Sequence, residues 1–300
     1  MRAYLQLLRA PNVFTAAADI LLGFFFTHDS LDAWPQLALL VAASCCLYLA
    51  GMVLNDVFDL EQDAAERPFR PIPSGKVSKA VAMRLGAGLL VAGVGFGWLT
   101  TWFASDVRPG LVASGLAGAV LAYDGLLKKT PVGPLVMGLC RTLNVLLGMS
   151  ASQDDWSAVH WGVALGVGIY ITGVTVFARS EARESGRGQL TLGLVLLLAG
   201  LGVLDRLMYW VRGDEWPPIL VPPRWSVFWL LVAALVSWRC VRAIVAPDPR
   251  NVQSAVRYCI LSLIVIDAGA CLAVHDLSYS LSILALLVPT IALGRWIYST

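Results

Sequence analysis

The chain has 300 residues, of which 58% are hydrophobic and only 14% charged, with a mean hydropathy of +0.71. Charged residues make up about a quarter of an ordinary globular sequence, so this composition cannot cover a water-facing exterior and excludes soluble enzymes, secreted disulfide scaffolds and disordered chains. A formal charge of +2, from 22 Lys and Arg against 20 Asp and Glu, supplies no electrostatic footprint for nucleic acid.

A helix crossing the ~30 Å hydrocarbon core of a bilayer needs roughly 20 apolar residues, and the sequence predicts ten such stretches. The first, 11–27, follows Arg2 and Arg9 and lacks a small-residue cleavage site, so it is expected to stay as a membrane helix. The others are 36–57, 80–103, 110–127, 132–151, 159–178, 189–211, 226–244, 255–274 and 280–298. A very short link around 275–279 joins the last two, which read either as two crossings or as a re-entrant pair. The expectation is an all-α, multi-pass transmembrane bundle of nine or ten helices forming one domain over 1–300, since no linker, low-complexity tract or internal repeat divides it.

Lys and Arg collect on the cytoplasmic side of membrane proteins. With the N-terminus inside, 17 cations fall in inside links, four (Arg108, Arg206, Arg212, Arg224) fall outside, and Arg141 lies within a helix. Both termini are therefore expected to face the cytoplasm, in an integral protein of a bacterial cytoplasmic membrane. Trp34, Trp161 and Tyr298, near helix ends, read as interfacial anchors. The six cysteines lie in apolar stretches without two-residue spacing and read as small core residues. The three histidines sit near the ends of apolar runs, so no pair is available to ligate haem at mid-membrane depth.

Chemistry is sought on the charged inside links. The second span ends Asn55-Asp56-Val57-Phe58-Asp59-Leu60-Glu61-Gln62-Asp63. At about 100° per residue, Asn55, Asp56, Asp59 and Asp63 fit one narrow helical face. Like charges so placed repel unless cations are bound, and hard oxygen donors suit Mg²⁺, which recruits substrate phosphates to complete its shell. Just beyond lies Arg67-Pro68-Phe69-Arg70-Pro71-Ile72-Pro73-Ser74-Gly75-Lys76. Two readings stand at equal weight: a Mg²⁺-diphosphate cradle with arginines clamping phosphate oxygens, or salt bridges between those arginines and the acids.

The run from Asn55 to Ser78 resembles the first Asp-rich motif and the following arginine loop of the UbiA superfamily of intramembrane prenyltransferases, and Leu8-Arg9-Ala10-Pro11-Asn12 resembles that family's entry into its first helix. The resemblance extends over most of the chain, and favours the EboC-like proteins over the quinone-pathway enzymes. It implies a UbiA-like bundle that transfers an isoprenyl group from a prenyl diphosphate to an unidentified acceptor within the membrane. On this reading Asn55, Asp56, Asp59 and Asp63 hold Mg²⁺, and Arg67, Arg70, Lys128 and Lys129 meet the diphosphate. Asn12 completes the substrate contacts, and Tyr123 steadies the allylic cation or orients the acceptor.

Two departures stand out. Where the family carries a second Asp-rich motif, this sequence reads Phe177-Ala178-Arg179-Ser180-Glu181-Ala182-Arg183-Glu184-Ser185, so Glu181 and Glu184 either hold metal through longer side chains or pair with Arg179, Arg183 and Arg187 at the surface. Tyr123 and Lys128 resemble the family's Tyr-to-Lys pair with one extra intervening residue. Asp19, Arg141 and Asp267 lie deep in apolar sequence, where charges face the bundle interior. Arg141 and Asn144, one turn apart, line an acceptor pocket or pair with an acid on another helix. The competing functions are a membrane lipid or metabolite carrier that retains only the first motif and, more weakly, a cation transporter, disfavoured because the acids cluster at a helix end. Nothing in the sequence assigns an oligomeric state.

Overall fold

The computed structural model describes residues 2–179, 186–212 and 221–298, and every regular element among them is helical. In chain order these are α1 (Arg2–Leu7), a 3₁₀ turn (Ala10–Asn12), α2 (Val13–Phe25), α3 (Trp34–Phe58), α4 (Leu60–Glu66), α5 (Lys79–Ala104), α6 (Arg108–Ala122), a π turn (Tyr123–Leu127), α7 (Gly133–Met149), α8 (Ala158–Ala178), α9 (Arg187–Arg212), α10 (Pro222–Val245), α11 (Pro249–Cys271), α12 (Leu277–Leu284) and α13 (Leu287–Tyr298). Among the described residues, eight helical segments are long and apolar enough to cross a membrane, and Ala10–Phe25 and Gly133–Met149 are shorter apolar helices. Together they coincide with the ten expected stretches.

Local sequence explains where the helices begin. Proline occupies the first turn of α3, α6, α7, α10 and α11, where a missing N–H costs no hydrogen bond. Ser78 caps α5 by accepting from Val81 N at 3.3 Å, and Asp248 caps α11 by accepting from Arg250 N and Asn251 N at 3.0 and 3.1 Å. Between α12 and α13 the helix is interrupted at Ala285–Leu286, four residues before Pro289 would have returned a bond to Ala285 O. The combined segment Leu277–Ile297 is still long enough to cross.

The hub is α2. It packs on α3, α7 and α11, while α3, α5, α6, α7, α8, α9, α10 and α11 each lean on the next, so the ring returns to α2. This explains why so short a helix is buried along most of its length. At its crossing with α7, Gly23 and Gly148 face each other, and a Cβ on Gly148 would run into the Ile20 backbone. Small residues let membrane helices approach this closely.

The two ends of the bundle differ. At one end Arg2 Nη2 donates to Ile297 O at 3.0 Å, so α1 and the end of α13 lie together. At the other, His160 and His275 donate from Nε2 to Phe26 O and Phe25 O at 3.2 and 2.8 Å, and Arg108 ties the α5–α6 link to the α7–α8 link through Asp106 Oδ2 and Asp154 O, both at 2.7 Å. Trp34, Trp102, Trp161 and Trp210 are exposed on helix ends at this second face, consistent with an interfacial belt.

Candidate active site

The acidic run at the end of α3 divides into two stripes. Asp56 and Asp63, seven residues apart, are buried and share Arg70, whose Nη1 donates to Asp56 Oδ1 at 3.3 Å and to Asp63 Oδ2 at 2.5 Å. Asn55 and Asp59, four apart, face the other way: Asn55 Nδ2 donates to Asp124 Oδ1 at 2.7 Å, and Asp59 Oδ2 accepts from Lys128 Nζ. The expected single face is thus divided, because its two edges meet different neighbours: Arg70 from the following loop on one, Asp124 and Lys128 from the π turn on the other.

Arg70 is held by the loop that carries it. The amides of Arg70, Ser74, Gly75 and Val77 bond back to Arg67, Arg70, Ile72 and Pro71 carbonyls at 3.0 Å. Gly75 takes φ 75°, a left-handed turn that suits glycine. Ile72 and Val77 are buried against Leu7, Val53, Val57 and Ala82. Arg67 closes α4 with its amide on Asp63 O at 2.8 Å. Arg9 Nη2 donates to Asp56 Oδ1 at 3.0 Å, and its own backbone is left-handed, φ 46°. A non-glycine residue held so is strained, and such strain concentrates at functional positions. Arg9, rather than Asn12, reaches the acids; Asn12 sits in the 3₁₀ turn, and its carbonyl accepts from Thr15 Oγ1 at 2.8 Å.

Across from α3 stands the π turn. Lys128 N donates to Tyr123 O at 2.9 Å, a five-residue step that absorbs the extra residue between Tyr123 and Lys128. Lys129 is exposed, and with Asp59, Asp124, Gly125 and Lys128 it lines a small polar pocket. Arg179 Nη2 donates to Lys129 O and Thr130 O at 3.3 and 2.7 Å, fastening the end of α8 to this loop.

Beside the polar pocket a cleft descends between α2, α3, α6 and α7. Its mouth is Asn55, Tyr123 and Asp124, and its walls include Leu47, Met52, Leu116, Val120 and Met137. Its floor is polar. Arg141 Nη1 donates to Asp19 Oδ2 at 2.8 Å and Nη2 to Thr15 Oγ1 at 3.0 Å, and the guanidinium lies 5.4 Å from the Tyr48 ring centre. Asn144 donates to Asp19 Oδ2 and Ala16 O at 2.8 and 2.9 Å and accepts from Ser44 Oγ at 2.7 Å. The pairing expected of Arg141 with an acid on another helix is therefore made to Asp19, and both Arg141 and Asn144 also line the cleft.

The donor set fits a magnesium ion without forming a closed cage. Among the described residues no three His, Cys, Asp or Glu side chains gather at metal-binding distance. Asp59 lines the polar pocket, and the Asn55 amide stands at the mouth of the adjoining cleft. One or two carboxylates completed by waters and phosphate oxygens is the shell Mg²⁺ prefers. Glu181 and Glu184, named above as candidates for a second metal site, lie outside the described residues. Sequence reasoning missed Asp124, Tyr48 and Ser44, and used Arg9 only as part of a resemblance. An acid directly after Tyr123, at the point where the Tyr-to-Lys spacing gains a residue, was the available signal for Asp124.

The geometry agrees with what the chain is similar to. Digeranylgeranylglyceryl phosphate synthase of Methanopyrus kandleri is 35% identical over 162 residues, covering 52% of this chain and 57% of the relative, and that of Saccharolobus solfataricus is 30% identical over 158 residues, 52% and 54%. The chain spans a little over half the length of these curated relatives. Among solved structures, a UbiA homolog from Archaeoglobus fulgidus bound to DMAPP and Mg²⁺ superposes with a TM-score of 0.63 at 14% identity, covering 87% of this chain and 99% of the other. The apo UbiA homolog from Aeropyrum pernix K1 gives 0.59 at 18%, covering 86% and 96%. The UbiA prenyltransferase family profile matches residues 16–264, and on that match, with the fold and the Asn55–Lys76 site in agreement, the chain belongs to the UbiA prenyltransferase family.

Proposed function

We propose that this chain transfers an isoprenyl group from an isoprenyl diphosphate to a hydroxyl of a glyceryl phosphate lipid within the membrane. The observation that carries the reading is the junction at Asn55 and Asp124, where a pocket lined by Asp59, Lys128 and Lys129 meets an apolar cleft. A diphosphate head and a hydrocarbon tail need these two environments side by side. The acceptor class follows the names of the curated relatives, whose product joins geranylgeranyl chains to glyceryl phosphate.

Asn55 and Asp59, with Asp56 and Asp63 behind Arg70, would hold Mg²⁺, which supplies Lewis-acid charge to the diphosphate oxygens. Lys128, Lys129 and Arg70 neutralise the leaving group as the allylic C–O bond breaks and its electron pair stays on the diphosphate. Arg67 lies one turn from Arg70 and adds to that charge. Tyr123 at the mouth and Tyr48 deeper in the cleft offer π faces to the allylic cation, and the apolar walls exclude water that would otherwise capture it. The acceptor oxygen forms the new C–O bond and its proton leaves to the diphosphate. Arg141 and Asn144 at the cleft floor orient the polar part of the bound substrates. The end carrying Asp59 faces the cytoplasm together with both termini; labelling of single cysteines introduced at exposed Ser74 and Asp155 tests this by reacting from opposite sides.

The test is product formation. Protein in lipid nanodiscs is incubated with Mg²⁺, labelled prenyl diphosphates of several lengths, and glyceryl phosphate or prenylglyceryl phosphate. A labelled ether made by the wild type and lost in Asp59→Asn supports the reading. Diphosphate binding without any product overturns it in favour of a lipid or metabolite carrier.

A further inference from the structure

The π turn does more than restore a spacing. It brings Asp124 against the end of α3, where Oδ1 accepts from Asn55 Nδ2 at 2.7 Å, and Asp124 lines both the apolar cleft and the polar pocket. A carboxylate offers only acceptors, whereas an amide offers a donor end and an acceptor end. The hydrogen bond to Asp124 therefore selects the NH₂ end of Asn55 and leaves Oδ1 as the free hard donor of a residue at the cleft mouth. A group hydrogen-bonded to a ligand in this way fixes its orientation and raises its affinity for metal.

We infer that Asp124 is a positioning residue of the diphosphate site: its hydrogen bond holds the Asn55 amide with Oδ1 presented to Mg²⁺, and the π turn is the backbone device that places it there. The inference rests on the magnesium diphosphate reading above and deepens it. It also accounts for the sequence: an extra residue between Tyr123 and Lys128 would move Lys128 by about 100° around a regular helix. The wider turn takes up that rotation, so Lys128 still reaches Asp59 while Asp124 reaches Asn55.

The probe is Mn²⁺, followed by electron paramagnetic resonance, with inorganic diphosphate and the full chain in nanodiscs. Asp124→Ala should weaken diphosphate-dependent Mn²⁺ binding by about tenfold or more, the usual consequence of losing a group that orients a ligand. Asp124→Asn, whose amide oxygen still accepts from Asn55, should stay within about threefold. Asn55→Ala should match Asp124→Ala, and the double variant should lose no more than either alone, because both remove one coupled unit. Thermal unfolding of each variant separates loss of the site from loss of the fold. Additive losses, an Asp124→Asn as weak as Asp124→Ala, or an Asp124→Ala that binds like wild type would each overturn the inference while leaving the magnesium reading intact. Absence of diphosphate-dependent Mn²⁺ binding in the wild type would overturn both.

Discussion

The amide of Lys128 bonds to the carbonyl of Tyr123, five residues back, at 2.9 Å. This contact takes up the one residue by which the Tyr123-to-Lys128 spacing exceeds the pattern it resembles, with Tyr123 at the cleft mouth and Lys128 on Asp59. Inserted residues within helices are commonly absorbed as π turns, and such turns recur at functional sites because they redirect side chains without breaking the helix.

Arg70 joins two buried acids, Asp56 and Asp63, whose side chains are only 5% and 6% exposed. Arg70→Gln should lower the stability of the metal-free protein by about 3–5 kcal/mol, the usual result of removing one partner from a buried ionic network, moderated at Asp56 by the remaining bond from Arg9. Mg²⁺ with diphosphate should recover part of the loss, since cations then return to the acidic face. Thermal unfolding with and without Mg²⁺ measures both effects, and a variant that melts like wild type in either condition contradicts this assignment.

Much of this architecture is legible in the sequence because a bilayer imposes a single length rule: ten apolar stretches become ten helical segments. The candidate site was legible in sequence where its residues are local, as in Asn55 to Asp63. It was not legible where partners come from distant segments, as with Arg9 on Asp56 or Asp124 on Asn55, since neither spacing nor periodicity encodes contacts 47 and 69 residues apart. The division of the acids into two stripes was likewise hidden, because helical angle alone does not reveal which neighbour each side of a face will meet.

Acid should weaken the end of the bundle opposite the site. His28 stacks on Phe24 at 3.9 Å, and burial holds its pKa below the ordinary 6.5 even though Asp29 and Asp154 pull the other way. Folding therefore favours the neutral ring: its contribution is fully present above the ordinary value and is lost as pH falls through the depressed one. Comparing melting temperatures between about pH 7.5 and pH 5.5, wild type should lose more stability than His28→Gln. Equal losses would show that another group governs the acid response.

Beneath the cleft, Arg141 is paired to Asp19, and Asp267 stands against Asp19 with neither of its oxygens on a donor, as is also true of Asp19 Oδ1. The two acids should consequently respond in opposite ways. Asp19→Asn strips Arg141 of its counter-charge and should cost about 3–5 kcal/mol. Asp267→Asn introduces an N–H beside Asp19 and should be neutral or stabilising. Unfolding measured in the same lipid decides between them, and an Asp267→Asn as damaging as Asp19→Asn would mean that Asp267 carries the charge that balances Arg141.

The α2–α7 crossing sets the floor of the cleft, because Thr15, Ala16 and Asp19 on one helix meet Arg141 and Asn144 on the other. Gly148 permits that approach: a Cβ there would lie 3.0 Å from Ile20 Cα and 3.1 Å from Gly23 Cα, and closer still to the Ile20 carbonyl. Backbone cannot rotate aside as a side chain can, so Gly148→Ala should force the helices apart and cost about 1–3 kcal/mol, the range for overpacked sites. Gly118 on α6 has open space around it, and Gly118→Ala should instead be neutral or gain up to about 1 kcal/mol from helix propensity. The separation should also reach the site, since Arg141 and Asn144 share α7 with Gly148. Substrate-dependent stabilisation should therefore weaken in Gly148→Ala and persist in Gly118→Ala. If the two variants unfold alike and respond alike to prenyl diphosphate, the close contact between α2 and α7 is not what holds the cleft floor together.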